Sequence, residues 1–165
     1  MNQEEILNRM KELLPEETIV SWQLFRDQIT MTVAAHKILQ VADIAKNDDH
    51  LAFDFLSFVA GVDRYPSDPR FEVVYQLYSI KQNHRFRIKC LLEETAEGLP
   101  SIDSVVSIWS TADWHERETA EMFGIVFKGH PDPRKLLLPD HWKVYPLRKD
   151  FPLEGSETET PDLPR

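Results

Sequence analysis

The chain has 165 residues, 42% of them hydrophobic, a net charge of −9 and one cysteine. That length suits one domain, or one domain with an extension, and such a chain can close a core without a disulfide or metal staple. A lone thiol excludes an intramolecular disulfide, a Cys-only zinc site and a self-contained iron–sulfur cluster, and it suits a reducing compartment. No apolar run approaches the roughly 18 residues of a membrane span, and the opening MNQEEILNRMKELL reads as neither a signal nor a transit peptide.

In chain order, residues 4–14 place Ile6, Leu7, Met10, Leu13 and Leu14 at helical spacing, and Pro15 stops them. Residues 18–25 and 28–34 alternate as strands around a turn at Arg26-Asp27. A second helix is expected over 36–46, closed by Asn47-Asp48-Asp49-His50. Residues 51–62 are strongly apolar; a helical turn is expected in the first half and a buried strand in the second. After the turn at residues 65–69, a hairpin over 71–80 and 84–92 puts Phe86, Ile88, Cys90 and Leu92 on one face. Arg85, Arg87 and Lys89 take the other, which reads as a sheet with one wet side. Cys90 is then a small core residue rather than a reactive thiol. A loop is expected over 93–100 and one or two helical turns over 101–109. Helices segregated from runs of antiparallel strands indicate an α+β fold, mainly antiparallel, with helices on one face and an extended C-terminal arm.

The next helix runs from Trp114 to Phe123, with Ser110 and Asp113 as a capping pair and Gly124 at its end. Arg117, Glu118 and Glu121 share an arc with Trp114, and Arg117 and Glu121 are spaced to pair. Glu116 falls on the core side, where an arginine of the arm, Arg134 or Arg148, is the expected partner. The body is residues 1–127; residues 128–165 form a Pro-rich arm with an acidic tail, of which 155–164 read as disordered. Between residues 128 and 149, six Lys or Arg face two Asp, a balance of +4 on an otherwise acidic chain. That distribution argues against general nucleic-acid binding and suits one acidic protein surface. Leu136, Leu137, Leu138, Trp142, Tyr145 and Phe151 supply apolar anchors along the arm.

Catalytic signatures are missing. His115, His130 and His141 have no compact metal spacing, the glycines are scattered singly, and no serine sits on a nucleophile elbow. An enzyme of another class would have to use His115, Glu116 and Glu118 around a metal.

Several motifs then fall in one order: Glu116-Arg117-Glu118, Glu121-Met122-Phe123-Gly124-Ile125, Gly129-His130-Pro131-Asp132, Arg134-Lys135-Leu136-Leu137, and the run from Pro146 to Leu153 that holds Arg148, Lys149 and Asp150. With Arg70–Tyr75 and the stretches around Ser101 and Trp114, they resemble the 30 kDa-type (C-type) subunit of the proton-translocating NADH–quinone oxidoreductase, respiratory complex I. Ala120 departs from that pattern, where the family usually has an aromatic residue, and Glu121 stands in for its Asp. The resemblance implies a cofactor-free accessory and assembly subunit without catalytic residues. FMN and the iron–sulfur clusters would sit in partners, and the neighbours would be the large quinone-site (D-type) subunit and the iron–sulfur (B-type) subunit. It also implies a peripheral position on the cytoplasmic side of the bacterial inner membrane, reached only through partners. Glu116, Arg117, Glu118, Gly124, His130, Arg134, Arg148, Lys149 and Asp150 are the family-motif residues and interface candidates. The same subunit type occurs in membrane-bound hydrogenases and related dehydrogenases, so an equivalent role there is the alternative.

Overall fold

A computed structural model describes residues 1–93 and 98–154. The acidic stretch 155–164 and part of the expected 93–100 loop lie outside them. Helix α1 (Gln3–Leu13) starts on a reciprocal cap: the Glu5 N–H donates to the Asn2 side chain and the Asn2 N–H to Glu5. Its Ile6, Leu7 and Met10 are buried against the sheet. Strands β1 (Ile19–Phe25) and β2 (Gln28–Val33) form the expected hairpin. Arg26 and Asp27, at φ 48° and 58°, make the tight two-residue turn whose twist matches its flanking strands. Helix α2 (Ile38–Asn47) follows and buries Ile38, Val41, Ala42 and Ala45.

Strands β3 (Phe55–Asp63), β4 (Phe71–Ser79) and β5 (His84–Leu92) then run as an antiparallel meander. The sheet order is β1-β2-β5-β4-β3, so the hairpin and the meander meet along one parallel seam, β2 on β5. On one face Phe71, Val73, Tyr75 and Leu77 stand opposite Leu92, Cys90, Ile88 and Phe86, all buried. The helices cover this side. On the other, Lys89 pairs with Glu72 at 3.2 Å and Arg87 donates to Gln76 at 3.0 Å, a polar lattice in which Glu72 and Gln76 are themselves buried. The α+β fold with helices on one face is therefore present, and Cys90 is a core residue whose thiol burial pushes up beyond the ordinary range.

Two local expectations fail, the first in part. Of residues 101–109 only 105–109 make a turn, with the Ile108 and Trp109 N–H groups donating to the Val105 carbonyl; Ser101–Asp103 is a short strand, β6, parallel to β7 (Val126–Lys128). A three-residue strand carries too little period to be read alone, and its partner lies far downstream. The region 51–62 holds no helix either, because β3 begins at Phe55, just after Ala52 at φ 42°. Helix α3 (Ala112–Phe123) lies on β3 at Gly61, where a Cβ would come within 2.6 Å of Phe123 and 2.9 Å of Thr119.

Candidate functional site

The site is the seam between α3 and the chain that follows it. Ser110 does not cap the helix; Thr111 stands at the N-cap with no side-chain bond to the helix, its hydroxyl donating instead to the Leu56 carbonyl. Gly124 ends the helix as expected, at φ 71°. A Cβ on Gly124 would meet Tyr145 at 2.6 Å and Arg148 at 2.7 Å, so the returning arm also requires a glycine here.

Four groups fasten the arm. Glu121 is 5% exposed and accepts the backbone N–H groups of Leu136, Leu137 and Leu138 at 2.9–3.1 Å. Arg117 donates to the Arg134 and Lys135 carbonyls at 2.8 and 3.2 Å, with Asp132 3.6 Å away. The expected Arg117–Glu121 pair is thus replaced: each residue turns to the arm's backbone, where three N–H donors match a carboxylate and two carbonyls match a guanidinium. The Lys135 ammonium donates to the carbonyls of Pro139, Asp140 and Trp142, closing the arm's own loop.

Further along, the Leu147 N–H donates to the Met122 carbonyl and Arg148 Nε to the Phe123 carbonyl, at 3.1 and 2.7 Å. These occupy carbonyls that a helix end leaves without intrahelical partners. The Arg148 guanidinium also lies over the rings of Phe71 and Tyr145, at 4.9 and 4.7 Å. Finally Asp63, at the end of β3, binds Arg70 through both carboxylate oxygens at 2.9 Å and accepts the Lys149 N–H at 2.8 Å. Burial alone would push the Asp63 carboxyl up. Arg70, with the N–H groups of Lys149 and Tyr65, outweighs it and holds the carboxyl well below the usual carboxylate range. Arg70 reaches on to Asp150, 2.8 Å away.

Glu116 has neither of its expected partners. Arg134 is exposed and bidentate with Asp132, and Arg148 is held at Phe123. Glu116 is fully buried, and its Oε1 accepts the Val105 N–H at 2.8 Å. Its Oε2 has no hydrogen-bond partner among the described residues; His130 Nε2 stands 4.0 Å away. Burial raises the Glu116 carboxyl above its ordinary value, against Ser104, the Val105 N–H and His130. The His130 Nδ1 accepts the Asp132 N–H at 3.0 Å, which leaves Nε2 as the N–H that donates to the Asp113 carbonyl at 3.1 Å. His130 thereby ties the start of the arm to the first turn of α3.

Of the candidates read from sequence, Glu116, Arg117, Gly124, His130, Arg148 and the Lys149 backbone gather at this seam, with Asp150 at its far end. Glu118 is exposed and Arg134 lies outside. Because Glu116 points inward and Glu118 outward, His115, Glu116 and Glu118 do not converge on one metal position. Sequence reasoning missed Asp63 altogether. Its signal was an acid closing a strand seven residues before Arg70. Glu121 falls on the open arc of the helix in sequence, because the arm that covers it contributes only backbone.

Residues 31–157 match the family described as the respiratory-chain NADH dehydrogenase, 30 Kd subunit. The chain belongs to this family. Among curated proteins it is 47% identical over 123 residues to the NADH-quinone oxidoreductase C 2 subunit of Rhizobium meliloti, spanning 74% of this chain and 65% of that protein. It is 41% identical to the NADH-quinone oxidoreductase C subunit of Roseiflexus castenholzii over 92% of this chain and 85% of that one. Among solved structures, a trypsin-resistant fragment (1-134) of Nqo5 superposes with a TM-score of 0.66 at 25% identity, over 80% of this chain and 99% of the fragment. The membrane-bound sulfane sulfur reductase, an archaeal respiratory membrane complex, holds a chain of the same fold, with a TM-score of 0.72 at 24% identity over 91% of this chain and 85% of that chain. Among the described residues no helix is long and apolar enough to cross a membrane.

Proposed function

We propose that this chain is a cofactor-free scaffold and assembly subunit in the peripheral arm of an NADH–quinone oxidoreductase. In this reading electrons pass from NADH through FMN and iron–sulfur clusters to quinone in partner subunits, and that transfer is coupled to proton translocation. The chain itself carries no catalytic residue. Residues 1–127 are the body. Residues 128–153 are the face presented to the large quinone-site subunit, beside the iron–sulfur subunit, on the cytoplasmic side of the membrane.

One observation carries the reading: an irregular, basic, Pro-rich segment is held in a fixed shape by Glu121, Arg117, Arg148 and Asp63 while Leu137 and Leu147 stay exposed. A segment ordered in advance loses less freedom when a partner binds. That the similar Nqo5 chain is a trypsin-resistant fragment supports a body that keeps its fold by itself.

The test is affinity purification of the full tagged chain from its native membranes. Recovery of the quinone-site and iron–sulfur subunits together with NADH-oxidising activity is expected. Recovery of a hydrogenase in their place would assign the equivalent role in that complex. Stoichiometric iron, zinc or flavin in the separately purified chain would overturn the cofactor-free role.

A further inference from the structure

The sheet ends in two edges, β3 and β1, and they are treated differently. The β3 edge is covered. Thr111 donates to the Leu56 carbonyl, Trp109 donates to the Phe53 carbonyl just before the strand, and α3 lies along it at Gly61. The β1 edge is open. Among the described residues, the backbone of Val20–Phe25 finds partners only in β2, so the N–H and C=O groups that point away from β2 are free. Exposed edges are usually blunted by charge or proline, and Ile19–Phe25 contains neither. The register slips once, between Ile19 and Ser21, and is regular from Ser21 to Phe25.

The core also runs out at this edge. Trp22 stands opposite Met31 and Leu24 opposite Ile29, and directly opposed residues of an antiparallel pair share a face. Met31 and Ile29 are buried, whereas Trp22 and Leu24, on the same side, are 49% and 54% exposed. An open groove of about 740 Å³ lies beside them, lined by Lys11, Glu16, Val20 and Trp22. A helix laid there would cover the side chains and leave the edge backbone unpaired. An added strand satisfies both. A second copy of this chain suits the edge poorly. Antiparallel pairing about Trp22 would bring together the two Lys11 ammonium groups, each 4.7 Å from its own Trp22 ring, and would set Glu17 opposite Asp27. We infer that the β1 edge accepts an extended segment of a neighbouring subunit as a sixth strand. That segment carries apolar side chains at alternate positions beside Trp22 and Leu24, and no base beside Lys11. The inference rests on the chain's being a subunit, as proposed above, and puts a second contact on the sheet edge opposite the one that carries the arm.

The test uses the full tagged chain, alone and in its native assembly. Hydrogen exchange over residues 19–25 follows the free amides. A photo-crosslinking benzoylphenylalanine at Gln23 reports the neighbour, and Leu24→Lys places a charge on the edge. The outward amides should exchange at least about tenfold more slowly in the assembly. The Gln23 crosslink should fall in a segment with apolar residues at every second position. Recovery of the assembly should drop at least about fivefold with Leu24→Lys, while the isolated variant melts within about 2 °C of the parent. Equal exchange in the two states, a crosslink to a second copy, or full recovery with Leu24→Lys overturns the added strand; if the quinone-site subunit still co-purifies, the subunit reading stands. An unsubstituted chain that recovers no partner subunit overturns both.

Discussion

The five-stranded sheet and the arm are fixed by opposite means. In the sheet, each strand is held by a ladder of equivalent backbone bonds and by side chains such as Phe71, Tyr75 and Phe86 that share one core. No single residue carries it. The arm has no ladder and little core. Its shape depends on three side chains of the body that reach its backbone, Glu121, Arg117 and Asp63, and on its own Arg148, which reaches back to the Phe123 carbonyl. A surface built this way can be irregular enough to suit one partner and still be formed before the partner arrives. It is also open to removal by one substitution, which the sheet is not.

Substitutions in the two regions should therefore differ in reach as well as in size. Phe86→Ala should cost about 3–5 kcal/mol, because it empties the centre of a packed core. Sheet and arm should then be lost in one urea transition followed by circular dichroism and tryptophan fluorescence. Asp63→Asn should cost about 3 kcal/mol, since it removes the charge of the buried bidentate partner of Arg70. It should also release the Lys149 amide to hydrogen exchange. Glu121→Gln should cost about 2 kcal/mol, because one carbonyl oxygen and an NH₂ group replace two acceptors facing three N–H donors. Its effect should be confined to the arm, with faster exchange at Leu136, Leu137 and Leu138 and an unaltered sheet.

The pH dependence separates two carboxyls of the seam by sign. Asp63, whose carboxyl is held low, adds stability that is present above its unfolded value of 3.8 and lost as the pH falls through the folded one. Glu116, whose carboxyl is raised, behaves oppositely: its contribution is present below 4.5 and lost as the pH rises through the folded value. In urea midpoints measured from about pH 2 to 8, Glu116→Gln should flatten the decline above pH 4.5, whereas Asp63→Asn should flatten the loss below pH 3.8. The smallest effect belongs to Arg134→Ala. Its pair with Asp132 is exposed on the arginine side, and the urea midpoint should not move.

The same contrast explains what could be read in the sequence. Period-2 runs such as 84–92, the Arg26-Asp27 turn and the Gly124 stop each carry a local signal, and each is present in the structure. The parallel seam of β2 on β5 and the β6–β7 pair join segments distant in the chain, and no local period announces them. The motif residues Glu116, Arg117, Gly124, His130 and Arg148 were legible as a group. Their partners were not, because most are backbone N–H and C=O groups that every residue has in common. Glu116 shows this plainly: an arginine was the reasonable partner for a carboxylate on a core face, and the Val105 N–H took that place.

The central claim is that the body holds the arm in the shape a partner reads. The measurement that tests it most directly is recovery of the parent assembly from native membranes with the full tagged chain and its Glu121→Gln variant, alongside hydrogen exchange of the isolated proteins. The account predicts an unchanged sheet, faster exchange at Leu136–Leu138 and about a tenfold loss of recovery, equivalent to roughly 1.4 kcal/mol. Full recovery with those three amides freed would contradict it.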